Sequence, residues 1–221
     1  MIVKICGMRD AGNIRCAEQL PADWMGFIFY PRSPRYVDRL PDYLPQRQKR
    51  VGVFVNATRD FILQRAELFG LDLIQLHGTE TPEMCEQLRL ATGCSIIKAF
   101  GIGYDTDFDR INDYEEVADY LLFDSRSPSV GGSGTKFGHE LLDHYTGHTP
   151  FLLSGGLGLD DVACISRCRH PQMCGIDLNS RKVGASALNS LLKPRPAVKN
   201  IGMLQAFLRQ LGKQSSSNLP L

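Results

Sequence analysis

The feature that most constrains this chain is a series of eight short, almost uninterrupted apolar segments, spaced at intervals of roughly 20 to 30 residues. They are IVKIC (2–6), WMGFIF (24–29), VGVFV (51–55), DLIQL (72–76), SIIKAF (95–100), YLLFD (120–124), FLLS (151–154) and MCGIDL (173–178). Near-continuous apolarity in so few residues is what a strand buried on both faces requires. Each interval leaves room for a helix and two loops, and several carry helix boundaries. Thr81-Pro82 reads as an N-cap followed by proline in the first turn; Met84, Leu88 and Ala91 share a face, and Gly93 closes the segment. Ile62, Ala66 and Phe69 form a similar stripe before Gly70, and Ile201, Leu204, Leu208 and Leu211 another before Gly212.

Strands that alternate with helices predict a parallel sheet, and eight such units close a barrel. The pattern alone also fits an open doubly wound sheet, but no glycine-rich dinucleotide fingerprint follows the first strand. The expectation is an α/β protein with one (β/α)8 TIM barrel over residues 1–212 and a polar tail over 213–221.

Charge narrows the partners. Lys+Arg and Asp+Glu number 25 and 24, a formal net charge of +1. A nucleic-acid binder would show a basic excess or stripe, so the expected partner is a small molecule, with any anion held locally. No apolar run approaches the length of about 20 residues that spans a bilayer. The N-terminus lacks the apolar core and cleavage site of a signal peptide. Seven scattered cysteines read as reduced thiols of a cytoplasmic protein. Cys164 and Cys168, near His170, lack the second matching pair that would suggest zinc and are expected to be buried structural thiols.

In a barrel of this kind the reactive groups lie at the carboxyl ends of the strands. Cys6, His77, Asp124 and Asp177 fall there. Cys6 suits a base or nucleophile if its thiolate is stabilised, or else a small buried hydrophobe. Asp124 ends a very apolar strand; a carboxyl in such a wall can hold its proton near neutrality, though the same residue could cap a helix. Ser154-Gly155-Gly156 after the seventh strand and Asn179-Ser180 after the eighth occupy the places where backbone N–H groups bind phosphate; a tight turn would need the same glycines. Arg32 and Arg35, in a proline-bracketed loop after the second strand, could each fork a carboxylate. Nothing local separates them.

In this order and spacing, VKICGMRD, GFIFYPRSPRYV, VGVFVN, IQLHG, LLFDS followed by GGSG, LLSGG and GIDLNS resemble the phosphoribosylanthranilate isomerases of tryptophan biosynthesis, from about Val3 to Ser180. The resemblance implies an Amadori rearrangement without metal or organic cofactor, by a monomer or homodimer. It implies that Asp124 is the general acid and Cys6 the general base. By the same carry-over, Arg35 holds the anthranilate carboxylate, and Gly155, Gly156, Asn179 and Ser180 bind phosphate. His77 and Asp177 lie in family motifs beside the substrate, and GGSG resembles a covering loop.

The chain departs from that pattern in two places. Phe137 is followed by Gly138 and His139 rather than an aspartate and an aromatic. After the eighth strand the family's glutamate and Pro-Gly-x-Lys-Asp stretch is replaced by a longer segment with Asn200 at the aspartate position. Other phosphosugar barrels would carry different sets: an indole-glycerol-phosphate synthase a lysine with several glutamates, an epimerase metal-binding histidines and aspartates. A non-catalytic phosphate-binding barrel would not need both Cys6 and Asp124.

Overall fold

Eight parallel strands close on themselves in chain order: β1 (Ile2–Cys6), β2 (Trp24–Ile28), β3 (Lys49–Phe54), β4 (Leu73–Leu76), β5 (Ser95–Ile102), β6 (Tyr120–Ser125), β7 (Phe151–Ser154) and β8 (Met173–Leu178), with β8 beside β1. The structure is a computed structural model that describes residues 1–103, 106–125, 139–179 and 198–216. The GGSG segment, Gly138, Ser180, the segment 181–197 and residues 217–221 lie outside the described residues.

Side chains alternate between the two faces of a strand, and here one face points into the barrel. Trp24, Val51, Leu73, Ile97, Ala99, Leu122 and Leu152 pack together as an apolar plug inside it. Two residues further along these inward faces the character changes. Gln75 follows Leu73 and His77 follows Gln75; Asp124 follows Leu122; on β1 the order is Ile2, Lys4, Cys6, and on β8 it is Gly175, Asp177. The opposite faces of the strands join the helices in a larger core that includes Ile5, Phe27, Ile74, Phe123, Phe151 and Ile176.

Helices α1 (Ala11–Ala17), α2 (Arg59–Phe69), α3 (Pro82–Thr92), α4 (Asp109–Asn112), α5 (His139–Leu142), α6 (Val162–Arg167) and α7 (Ile201–Ser216) surround the barrel, with a 3-10 turn over Leu159–Asp161 before α6. The end of α2 and both ends of α3 follow the predicted chemistry. Thr58 and Thr81 cap their first turns, and Gly70 (φ 54°) and Gly93 (φ 69°) end them in the left-handed region. The buried face of α3 is Cys85 and Leu88, while Met84 is half-buried and Ala91 exposed, a rotation of about one position from the predicted stripe. Helix α7 continues past Gly212 into the segment expected as a tail. No described helix is long and apolar enough to cross a membrane.

The interval between β2 and β3 holds no helix. Prolines at 31, 34, 41 and 45 explain this, because each removes a backbone donor and disfavours helix in the residue before it. The crossover is fastened at two points. Near its start Tyr36 bridges Ile28, and the Val37 N–H donates to the Ile28 carbonyl at 2.9 Å. Near its end, Glu18 beyond α1 accepts from the Tyr43 hydroxyl and from the backbone N–H groups of Gln46 (2.6 Å) and Arg47 (2.9 Å). Burial pushes the Glu18 carboxyl up, but these donors outweigh it and hold the group below the usual carboxylate range.

Candidate active site

Cys6 ends β1 with only 1 % of its surface exposed. Its sulfur occupies the space over Gly26 on β2, where an added Cβ would come within 2.7 Å of Sγ. The next residue, Gly7, has φ +83° and turns the chain across the mouth. A Cβ on Gly7 would meet Arg35 Cδ at 2.5 Å and Asn179 Oδ1 at 3.0 Å, so both side chains lie against this turn beside the thiol. The two arginines are thereby distinguished: Arg35 is half-buried at the mouth, and Arg32 is exposed.

Two lysines face the thiol. Lys4, two residues earlier on the same face of β1, is fully buried; its ammonium lies 3.2 Å from Asp177 Oδ1 and donates to Gln75 Oε1 at 2.7 Å. The Asp177 contact is ionic rather than directional, and among the described residues Oδ1 accepts no well-aligned hydrogen bond. Burial pulls the Lys4 ammonium down, but Asp177 and Cys6 together hold it above its ordinary 10.5. Lys199 enters from the segment before α7. Its backbone is pinned to α1, the N–H donating to Asn13 Oδ1 at 2.7 Å and the carbonyl accepting from Asn13 Nδ2 at 3.0 Å, while its ammonium donates to the Asn179 carbonyl at 3.3 Å. Burial brings Lys199 down to about 8, with Arg35 adding to the effect and Cys6 opposing it. Burial likewise pushes the Cys6 thiol up, and Lys4 and Lys199 work against that rise.

Asp124 is the last inward residue of β6, on the same face as Leu122 of the plug. Among the described residues the expected apolar enclosure is not found, and its side chain is 36 % exposed at the mouth. Its Oδ2 lies 3.6 Å from His77 Nε2, and His77 Nδ1 lies 3.0 Å from the Gln75 amide nitrogen. A continuous set of polar contacts therefore runs from Asp177 through Lys4, Gln75 and His77 to Asp124. The backbone bearing His77 is held from outside the barrel. Lys98 donates to the Gly78 carbonyl (2.8 Å) and pairs with Glu80 (3.1 Å), and Glu80 accepts from the Gly78 and Asn56 N–H groups.

Asp177 itself is 3 % exposed, beneath the mouth rather than open to it. Gly155 (φ 108°) and Gly156 (φ 72°) turn the chain after β7, and a Cβ on Gly156 would meet nothing within 4 Å. Asn179 is half-buried, and its Oδ1 has no partner among the described residues. Cys164 and Cys168, expected to be buried, are half-exposed on and after the short helix α6, which covers little of their surface.

Lys4, Gln75, Glu80 and Lys199 were not among the sequence candidates. Three of them left a signal. Lys4 and Gln75 are polar residues inside apolar strands, two positions before Cys6 and His77, and period-two alternation puts each pair on one face. Glu80 closes the IQLHGTE segment. Lys199, far along the chain, left none in the strand pattern, only its place at the lysine of the family's Pro-Gly-x-Lys-Asp stretch.

Such a barrel, with a thiol, a carboxyl group, an imidazole and a guanidinium gathered at the carboxyl ends of its strands, defines a (β/α)8-barrel enzyme. Residues 3–181 match the family model described as N-(5'phosphoribosyl)anthranilate (PRA) isomerase. An N-(5'-phosphoribosyl)anthranilate isomerase of Phocaeicola vulgatus is 46% identical over 211 residues, covering 96% of this chain and 98% of that protein. The same enzyme of Parabacteroides distasonis is 43% identical, covering 96% and 93%. Among solved structures, phosphoribosyl anthranilate isomerase from Thermotoga maritima superposes with a TM-score of 0.75 at 30% identity, covering 96% of this chain and 100% of that one. A phosphoribosyl anthranilate isomerase in complex with reduced 1-(o-carboxyphenylamino)-1-deoxyribulose 5-phosphate gives 0.74 at 28%, with the same coverage. The chain belongs to the N-(5'-phosphoribosyl)anthranilate isomerase family.

Proposed function

We propose that this enzyme converts N-(5'-phosphoribosyl)anthranilate to 1-(2-carboxyphenylamino)-1-deoxyribulose 5-phosphate, with Asp124 as general acid and Cys6 as general base. Asp124 gives its proton to the furanose ring oxygen; the C1–O bond breaks as the anilino nitrogen forms the iminium. Cys6, as thiolate, removes the C2 proton. The resulting enolamine tautomerises to the ketone. The route uses no metal and no organic cofactor.

The observation that carries this reading is that β1 and β6, separated around the barrel by β7 and β8, bring a thiol and a carboxyl group to the inward face of one mouth. Acid and base can then act on a sugar from two sides. A thiolate base needs cationic surroundings, and Lys4 and Lys199 supply them. Arg35, beside Gly7, suits the anthranilate carboxylate. The backbone of Gly155 and Gly156, with Asn179 and Ser180 across the β7–β8 junction, suits the phosphate. His77 orients Asp124, and Asp177 acts on the substrate only through Lys4. We read the enzyme as cytoplasmic, and as a monomer or homodimer acting on a small molecule without nucleic acid or membrane.

The test follows the fluorescence of freshly made substrate. Asp124→Asn and Cys6→Ser should each lower kcat by at least about 100-fold, the usual scale of one positioned proton transfer, while a product analogue still binds. Near-wild-type turnover in either variant would remove that residue from the chemistry.

A further inference from the structure

We propose that Lys4, acting through Gln75, locks His77 as its Nε2–H tautomer, so that the imidazole offers Asp124 a donor and never a base. The inference deepens the reading of Asp124 as the acid and rests on it.

An ammonium group carries only donors. The Gln75 side-chain atom 2.7 Å from Lys4 Nζ is therefore the amide oxygen. That leaves the amide nitrogen, also donor only, 3.0 Å from His77 Nδ1. Nδ1 must meet it with a lone pair, and the ring proton then resides on Nε2, the atom facing Asp124 Oδ2 at 3.6 Å. Reversing the Gln75 amide would turn its N–H groups on Lys4. Adding a proton to Nδ1 would set N–H against N–H. Both arrangements are costly where Lys4 is wholly buried and Gln75 nearly so. Lys4 is itself held by Asp177, so the orientation is fixed at its far end.

Among the described residues, the other charged groups beside the histidine do not compete for its ring. Lys98 and Glu80 pair with each other and with the backbone of Gly78. The His77 N–H is bonded to the Phe54 carbonyl. Asp124, on β6, is the carboxylate that the ring meets.

The consequence is chemical. An imidazole whose lone pair is turned away cannot take the Asp124 proton, which remains available for the ring oxygen of the sugar. When that proton has gone, the carboxylate finds an oriented N–H beside it. His77 gives up no proton and gains none. Lys4 and Gln75 are positioning residues, acting through the histidine.

The experiment is a long-range proton–nitrogen correlation spectrum of the full chain labelled with 15N-histidine, with His77 assigned by its loss in His77→Gln. The expected wild-type pattern is Nε2–H with an unprotonated Nδ1 at neutral pH. In Gln75→Glu the new carboxylate accepts from Lys4 with one oxygen and draws a proton onto Nδ1 with the other. His77 should then show Nδ1–H, and kcat should fall about tenfold to a hundredfold with KM changed by less than about threefold. An Nδ1–H or doubly protonated ring in the wild type overturns the proposal, as does an unchanged Nε2–H pattern in Gln75→Glu. If that variant does not fold, the wild-type spectrum alone decides. Retained turnover in Asp124→Asn would instead remove the acid assignment and leave the tautomer result standing.

Discussion

Replacing Lys4 with methionine keeps most of the side chain's length and deletes the ammonium that faces Asp177. The two charges are 3.2 Å apart, and neither side chain is more than 3 % exposed. At an effective dielectric of about 20, that attraction amounts to about 5 kcal/mol. Removing one partner strands the other in the interior, and breaking such pairs typically destabilises by about 3–5 kcal/mol. A domain's whole stability is about 5–15 kcal/mol, so the variant should lose a large share of its own. Urea unfolding followed by the fluorescence of Trp24 is the natural assay. It is the chain's single tryptophan, packed in the barrel plug edge-on to Tyr120. The midpoint should fall with little change in slope. Lys4→Met/Asp177→Leu, which replaces both charges with apolar groups, should regain most of the loss. The reasoning fails if the single variant lies within about 1 kcal/mol of wild type, or if the double variant is no more stable than the single. In the wild type the Lys4 contribution is fully present below its ordinary 10.5 and is lost only as pH rises through the higher folded value.

Gly7→Ala places a methyl 2.5 Å from Arg35 Cδ at a φ of +83°; the backbone strain alone is about 1–2 kcal/mol, and displacement of the arginine should raise KM, measured by steady-state kinetics. Arg35→Ala should raise KM at least about tenfold if the guanidinium forks the carboxylate, whereas exposed Arg32→Ala should leave it unchanged. Equal effects of the two arginines would refute the assignment. Because burial raises the Cys6 thiol above its ordinary 9.0, kcat/KM should climb with pH on the alkaline side as the thiolate forms. Lys199 loses its charge above about 8 and so supports that thiolate chiefly below this pH. Lys199→Met should therefore lower kcat/KM chiefly below about pH 8 and leave the limb above 9.0 in place, and an unchanged kcat/KM below pH 8 would remove Lys199 from the thiol's surroundings.

The barrel was legible because a strand buried on both faces leaves a compact apolar signature, and β1, β7 and β8 fall on the segments read from sequence. The crossover after β2 was less so. Strand spacing allowed a helix there, and only the proline run argues against one. At the mouth, strand ends led to Cys6, His77 and Asp124, but not to the contacts among them. Lys4 looked like a lone charge in IVKIC until closure of the barrel set β8 beside β1 and Asp177 opposite it. Lys199 was marked only by its place at the lysine of the family's Pro-Gly-x-Lys-Asp stretch; its approach to the thiol depends on a hydrogen-bonded pairing with Asn13, 186 residues away. The expected enclosure of Asp124 failed for a simple reason. Apolar neighbours in sequence fill the plug and the outer core, while the last inward residue of a strand opens onto the mouth.

The proline-rich crossover has a consequence for chain connectivity. Its first stretch is tied to β2 by Val37 and its last to α1 by Glu18, while Asp38, Arg39 and Leu40 between them are exposed. The covalent link there is therefore nearly redundant. New termini opened at that point, with the old ones joined by a linker, would leave Arg35 on the stretch tied to β2 and the return to β3 on the stretch tied to α1.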